Sequence, residues 1–156
     1  MWTQVDTPVG PLVLVAADEG LREIRFGGAR PAEETECAAG SAALHLALEQ
    51  IDEYFAGKRT TFDVPLAPRG TPFQLAVWNA LRHIAYGQTR SYADIARVIG
   101  KPDAVRAVGA ANGANPIPII IPCHRVIGSN GSLTGFGGGI DMKRRLLDFE
   151  AGYLTL

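Results

Sequence analysis

The chain has 156 residues, enough for one globular domain that buries a core without disulfide staples, with room for a small extra subdomain. Its 47% hydrophobic and 20% charged residues are ordinary proportions, and its 18 Gly and 10 Pro are scattered, which excludes collagen-like and disordered classes. The net charge of -1 hides an asymmetry, because residues 1–68 hold 5 Lys+Arg against 11 Asp+Glu and residues 69–156 hold 10 against 5. The basic half suits a polyanionic partner, and the acidic half would keep that partner off the other face.

No apolar run reaches the ~18 residues of a membrane span. The start Met1-Trp2-Thr3-Gln4-Val5-Asp6 lacks the basic and apolar regions of a signal peptide. The expected address is the cytoplasm, at the nucleoid or in the nucleus of a eukaryote, with no membrane partner. Cys37 and Cys123 are too few for a disulfide framework or a four-thiolate zinc site, so free thiols are expected. His45 and His83 lie far in sequence from both cysteines, so no metal site is expected.

In chain order, Thr7-Pro8-Val9-Gly10-Pro11 breaks a first strand, Leu12 to Ala17 is a buried β run, and Asp18-Glu19-Gly20 turns it into Leu21 to Phe26. From Ser41, a possible N-cap, Leu44, Leu48, Ile51 and Phe55 recur at helical spacing up to Gly57. Lys58 to Gly70 reads as a linker. Thr71-Pro72-Phe73-Gln74 combines an N-cap, a proline at the first helical position and a capping-box Gln, with the helix expected to run to Tyr86. Ser91 caps a helix over Tyr92 to Ile99, Gly100-Lys101-Pro102 breaks it, and Asp103 to Asn112 is helical again, a pattern that suggests helix-turn-helix. The prolines of Asn115 to Pro122 forbid a regular helix and its isoleucines demand burial, so an extended segment through the core is expected. An Asn130-Gly131 hairpin turn, a glycine-rich loop from Gly135 to Gly139 and a helix over Ile140 to Glu150 complete the chain.

Pro122-Cys123-His124-Arg125 sets a thiol beside a base and a permanent cation. Positive charge lowers a thiol pKa and makes a nucleophile. The plainer alternative is a cysteine serving as a small core hydrophobe, and neighbours on an extended segment point to opposite sides.

An ordered series of residues surrounds this motif: Phe73-Gln74, Val77-Trp78, Gly87-Gln88-Thr89, Ser91-Tyr92, Arg106 to Gly109, Asn112, Asn115-Pro116, Ile121 to Ile127, Gly135-Phe136, Gly138-Gly139, Lys143, Leu146-Leu147 and Glu150. In these residues the chain resembles the O6-alkylguanine-DNA alkyltransferases, also called methylated-DNA-protein-cysteine methyltransferases. The resemblance runs from about Thr71 to Gly152. Residues 1–68 fit more loosely, mainly in their strand pattern and Gly10-Pro11-Leu12. It implies an α/β protein: a small N-terminal sheet-plus-helix subdomain (1–68), then a mainly helical C-terminal DNA-binding and alkyl-acceptor domain (69–156) with a helix-turn-helix.

The resemblance also implies single-turnover, cofactor-free removal of the alkyl group from O6-alkylguanine in double-stranded DNA. Cys123 would keep the group as a thioether. His124 would take the thiol proton through a water while Glu150 orients the imidazole, which is triad logic on another fold. Tyr92 would give its proton toward the purine and press on the DNA backbone. Arg106 would fill the space of the flipped nucleotide, and the small residues Ala107, Gly109, Ala110 and Ala111 would fit their helix to the minor groove. Asn115 would hold the hinge, Pro118, Val126 and Phe136 would close the pocket, and the Gly137 and Gly138 N–H groups would face the base. Gly137 stands where some relatives have a serine, and Phe136 where a tyrosine is more common, which bears on substrate breadth. No obligate protein partner is implied, and cooperative loading on DNA is left open.

Three other readings remain. The glycine run resembles a phosphate cradle but lacks the P-loop pattern. A cysteine hydrolase would use the same Cys123, His124 and Glu150 with turnover. A damage-sensing alkyltransferase-like protein would carry Trp at the acceptor position, where this chain has Cys123.

Overall fold

A computed structural model describes residues 1–32 and 41–156; Cys37, expected to be a free thiol, lies outside them. Two compact units form, Met1–Arg69 together with Leu156, and Gly70–Thr155. Among the described residues no helix is long and apolar enough to cross a membrane.

In the first unit β1 (Trp2–Thr7), β2 (Gly10–Ala17) and β3 (Gly20–Phe26) form an antiparallel sheet in that order. The two-residue connections Pro8-Val9 and Asp18-Glu19 end at Gly10 and Gly20, both at positive φ. Leu12 to Ala16 are all buried, with Val13 and Val15 joining Trp2 in one cluster and Leu12 and Leu14 on the opposite face. Helix α1 (Ala42–Phe55) starts where Ser41 Oγ accepts from the Leu44 N–H, and packs on all three strands. The stretch read as a linker is tied to the sheet: Leu21 N–H donates to Pro65 O at 2.8 Å and Ala67 N–H to Leu21 O at 2.7 Å. Gly20 permits this approach, since a Cβ there would meet Pro65 O at 2.5 Å.

The second unit opens with α2 (Pro72–Leu81), whose Thr71/Gln74 capping box is complete. This helix stops at Leu81 rather than Tyr86, because His83 and Ile84 bond three residues back and the Ile84 carbonyl is taken by Arg125. Strand β4 (Arg90–Ser91) leads into α3 (Tyr92–Val98), capped by Ser91 with Asp94, and then α4 (Val105–Gly113), which packs on α2 and α3. Trp78 fastens α2 to α4 by donating to the Ala111 carbonyl at 2.8 Å.

Residues 117–122, with all four isoleucines, are buried as expected, but the 115–122 segment is folded into turns instead of extended. Ile121 N–H donates to Ile117 O at 2.9 Å, Ile120 N–H to Pro118 O at 2.9 Å, and Ile119 takes φ +74°, a rare conformation for a β-branched residue. Prolines exclude a helix, yet single turns satisfy the buried backbone without a neighbouring strand. Strand β5 (Val126–Ile127) pairs in parallel with β4, so the Asn130-Gly131 turn closes a loop rather than a hairpin. Helix α5 (Ile140–Glu150) ends the fold.

Candidate active site

Cys123 enters on a γ-turn: Pro122 at φ −81°, ψ 65° lets the Cys123 N–H reach Ile121 O at 2.8 Å. Cys123–Arg125 then form one 3-10 turn, all three residues buried. That turn sends His124 and Arg125 to the same carboxylate, Glu150 in the last turn of α5. His124 Nε2 lies 2.7 Å from Glu150 Oε2; Arg125 donates through Nε to Oε1 at 2.7 Å and through Nη2 to Oε2 at 3.1 Å. Arg125 Nη1 also donates to Ile84 O at 2.7 Å, and its guanidinium stands 5.7 Å from the centre of the Tyr86 ring. The spacing of Lys143, Leu146 and Glu150 puts them on the buried face of α5.

These contacts fix the protonation states. Burial alone would raise the Glu150 carboxyl, but hydrogen bonds from His124 and Arg125 and the Arg125 charge hold it at about 2. Burial pushes the His124 imidazole below its usual value against the pull of Glu150, so it is neutral. An ionised Glu150 takes the Nε2–H, which leaves Nδ1, buried and without a hydrogen-bond partner, as a free acceptor. Burial likewise raises the Cys123 thiol, although Asn115, the Lys143 ammonium and nearby backbone N–H groups favour the thiolate. The resting pair is therefore thiol and neutral imidazole. The expectation that the adjacent cation activates the thiol is corrected: Arg125 serves Glu150, and the cation that acts on Cys123 is Lys143.

Asn115 braces the approach to the thiol, donating to Ile121 O at 2.8 Å and accepting from Ile117 N–H at 3.0 Å. Asn112 Nδ2 reaches the Cys123 carbonyl at 3.4 Å. Pro118 and Val126 are buried beside the turn, Phe136 is half-buried, and Gly137 is exposed. A Cβ on Gly138 would meet Met142 Sδ at 2.3 Å and the Phe136 ring at 3.0 Å, so this loop lies close against the Met142 side chain of α5, which a larger residue would have to displace. On α4, Arg106, Ala107 and Ala110 are exposed, and Gly109 faces Tyr92 at 3.9 Å from a would-be Cβ. Tyr92 Oη lies 2.9 Å from Thr134 Oγ1, and Lys143 Nζ donates to Thr134 O at 2.8 Å.

The fold thus brings Cys123, His124, Glu150 and Asn115 into one cluster and leaves Arg106, Ala107 and Ala110 on an exposed strip. Sequence reasoning gave no role to Lys143 or Thr134. A lysine on the apolar stripe of α5 was the available signal for the first; nothing local marks the second.

The sequence profile of the 6-O-methylguanine DNA methyltransferase DNA binding domain matches residues 72–152, and that of the family's ribonuclease-like domain matches residues 1–68. The chain belongs to the 6-O-methylguanine DNA methyltransferase family. Membership covers both units, including the first 68 residues, whose motif likeness is looser. Methylated-DNA–protein-cysteine methyltransferases of Methanosarcina acetivorans and Mycobacterium tuberculosis are 49% and 51% identical over 147 residues. The matches cover 93% and 94% of this chain, and 94% and 89% of those proteins. The crystal structure of Mycobacterium tuberculosis OGT in complex with DNA superposes with a TM-score of 0.89 at 49% identity, covering 97% of this chain and 93% of that one.

Proposed function

We propose that this 6-O-methylguanine DNA methyltransferase repairs O6-alkylguanine in double-stranded DNA by one irreversible transfer of the alkyl group to Cys123. The observation that carries the reading is the buried Cys123–His124–Glu150 arrangement, with His124 Nδ1 left as an unoccupied acceptor. The thiol proton passes to Nδ1, by way of a water, as sulfur attacks the alkyl carbon. The S–C bond forms, the C–O6 bond breaks, and its electron pair stays on the purine, which takes a proton from Tyr92. A thioether has no leaving tendency toward water, so Cys123 is spent after one event.

Domain 69–156 binds the DNA and accepts the alkyl group, with 1–68 as the N-terminal unit. The small exposed residues Ala107 and Ala110, with Gly109, let α4 enter a minor groove, where recognition is indifferent to flanking sequence. Arg106 holds the gap left by the flipped nucleotide. Pro118, Val126, Phe136, Gly137 and Gly138 enclose the base, and Asn115 keeps the turn above Cys123. With O6-methylguanine duplex in excess, methyl removal should stop at one per protein. Continued release would contradict the transfer and point to a hydrolase.

A further inference from the structure

Thr134 joins three elements. Its hydroxyl lies 2.9 Å from Tyr92 Oη at the start of α3, and its carbonyl accepts from Lys143 Nζ of α5 at 2.8 Å and, over a long 3.4 Å, from the Tyr92 hydroxyl, so the Thr134 hydroxyl is the donor to Tyr92 Oη. Lys143 Nζ is also 5.9 Å from the centre of the Tyr92 ring. The Lys143 bond therefore anchors the loop by its backbone, and the Thr134 hydroxyl is left for Tyr92 alone. A phenol that gives its proton to a purine cannot give the same proton to Thr134, but it can accept one.

We propose that Thr134 is a positioning residue for proton delivery: its hydroxyl donates to the Tyr92 oxygen and holds it in place while the phenolic proton, weakly held by the Thr134 carbonyl in the free protein, turns to a bound purine, and it supports the charge left when that proton departs. The inference rests on the reading of Tyr92 as the proton donor. As the C–O6 bond breaks, the purine takes the phenolic proton and the Tyr92 oxygen keeps the electron pair, held by Thr134 Oγ–H with the Lys143 ammonium nearby. The proton that the Cys123 thiol left on His124 returns to solvent, and Tyr92 takes one from solvent, so charge balances over the cycle.

The test is the single-turnover rate of methyl transfer from an O6-methylguanine duplex in Thr134→Val, Thr134→Ser, Tyr92→Phe and the Tyr92→Phe/Thr134→Val pair. Thr134→Val keeps the side-chain shape and the carbonyl that anchors Lys143, so loop tethering survives. It should slow transfer about tenfold, the worth of one hydrogen bond, with duplex affinity unchanged; Thr134→Ser should restore most of the rate. In the Tyr92→Phe background Thr134→Val should have no further effect. A wild-type rate in Thr134→Val, or a slow Tyr92→Phe protein slowed a further tenfold by it, would overturn the inference alone. A wild-type rate in Tyr92→Phe would overturn the Tyr92 reading and this inference with it.

Discussion

Glu150 is the residue on which the site depends, because each of its oxygens is held by a different set of donors and all of them are buried. Both it and His124 carry fewer protons in the folded than in the unfolded chain, Glu150 at about 2 instead of 4.5 and His124 below 6.5. Stability from these groups is therefore full above about pH 6.5 and declines as pH falls. The steepest loss should lie between 4.5 and about 2, on the order of 3 kcal/mol for Glu150. Urea midpoints across that range should drop for the wild type and flatten for Glu150→Gln; a wild-type midpoint independent of pH would contradict the buried ionised carboxylate. The Cys123-His124 motif was readable from sequence, but the partner of each cation was not. Adjacency placed Arg125 by the thiol, whereas a 3-10 turn carries its side chain to Glu150 and leaves a lysine from another element to act on Cys123.

Among the elements, capping signals were the most legible: Ser41, Thr71 and Ser91 all cap the helices that their sequences announce. The end of α2 was not, since it is set by a long-range bond from Arg125 to Ile84 O. The 115–122 segment shows why composition alone misleads there: proline and isoleucine dictate burial without a helix, and short-range backbone bonds together with the Asn115 side chain make turns rather than a strand. The Asn115 side chain substitutes for the missing backbone ladder at Ile117 N–H and Ile121 O. Asn115→Ala should cost about 2 kcal/mol by leaving both groups without a partner, measured by urea denaturation, and should slow transfer to Cys123. A variant with wild-type stability would show that the turn holds without it.

Over the whole molecule the charge is divided, with the excess of Lys+Arg confined to residues 69–156. DNA affinity should fall as salt rises, through counterion release. Arg106→Ala should slow transfer from duplex DNA at least about tenfold while leaving transfer from free O6-benzylguanine within about twofold, since only the duplex requires an extruded nucleotide. Equal losses on both substrates would remove Arg106 from that role. The most direct test of the account is the intact mass of the protein after mixing with an equimolar O6-methylguanine duplex, with peptide mapping and a Cys123→Ser control. One methyl on Cys123, unmodified guanine in the DNA and no adduct in Cys123→Ser is the predicted result. An unchanged mass in a protein that still binds the damaged duplex would contradict it.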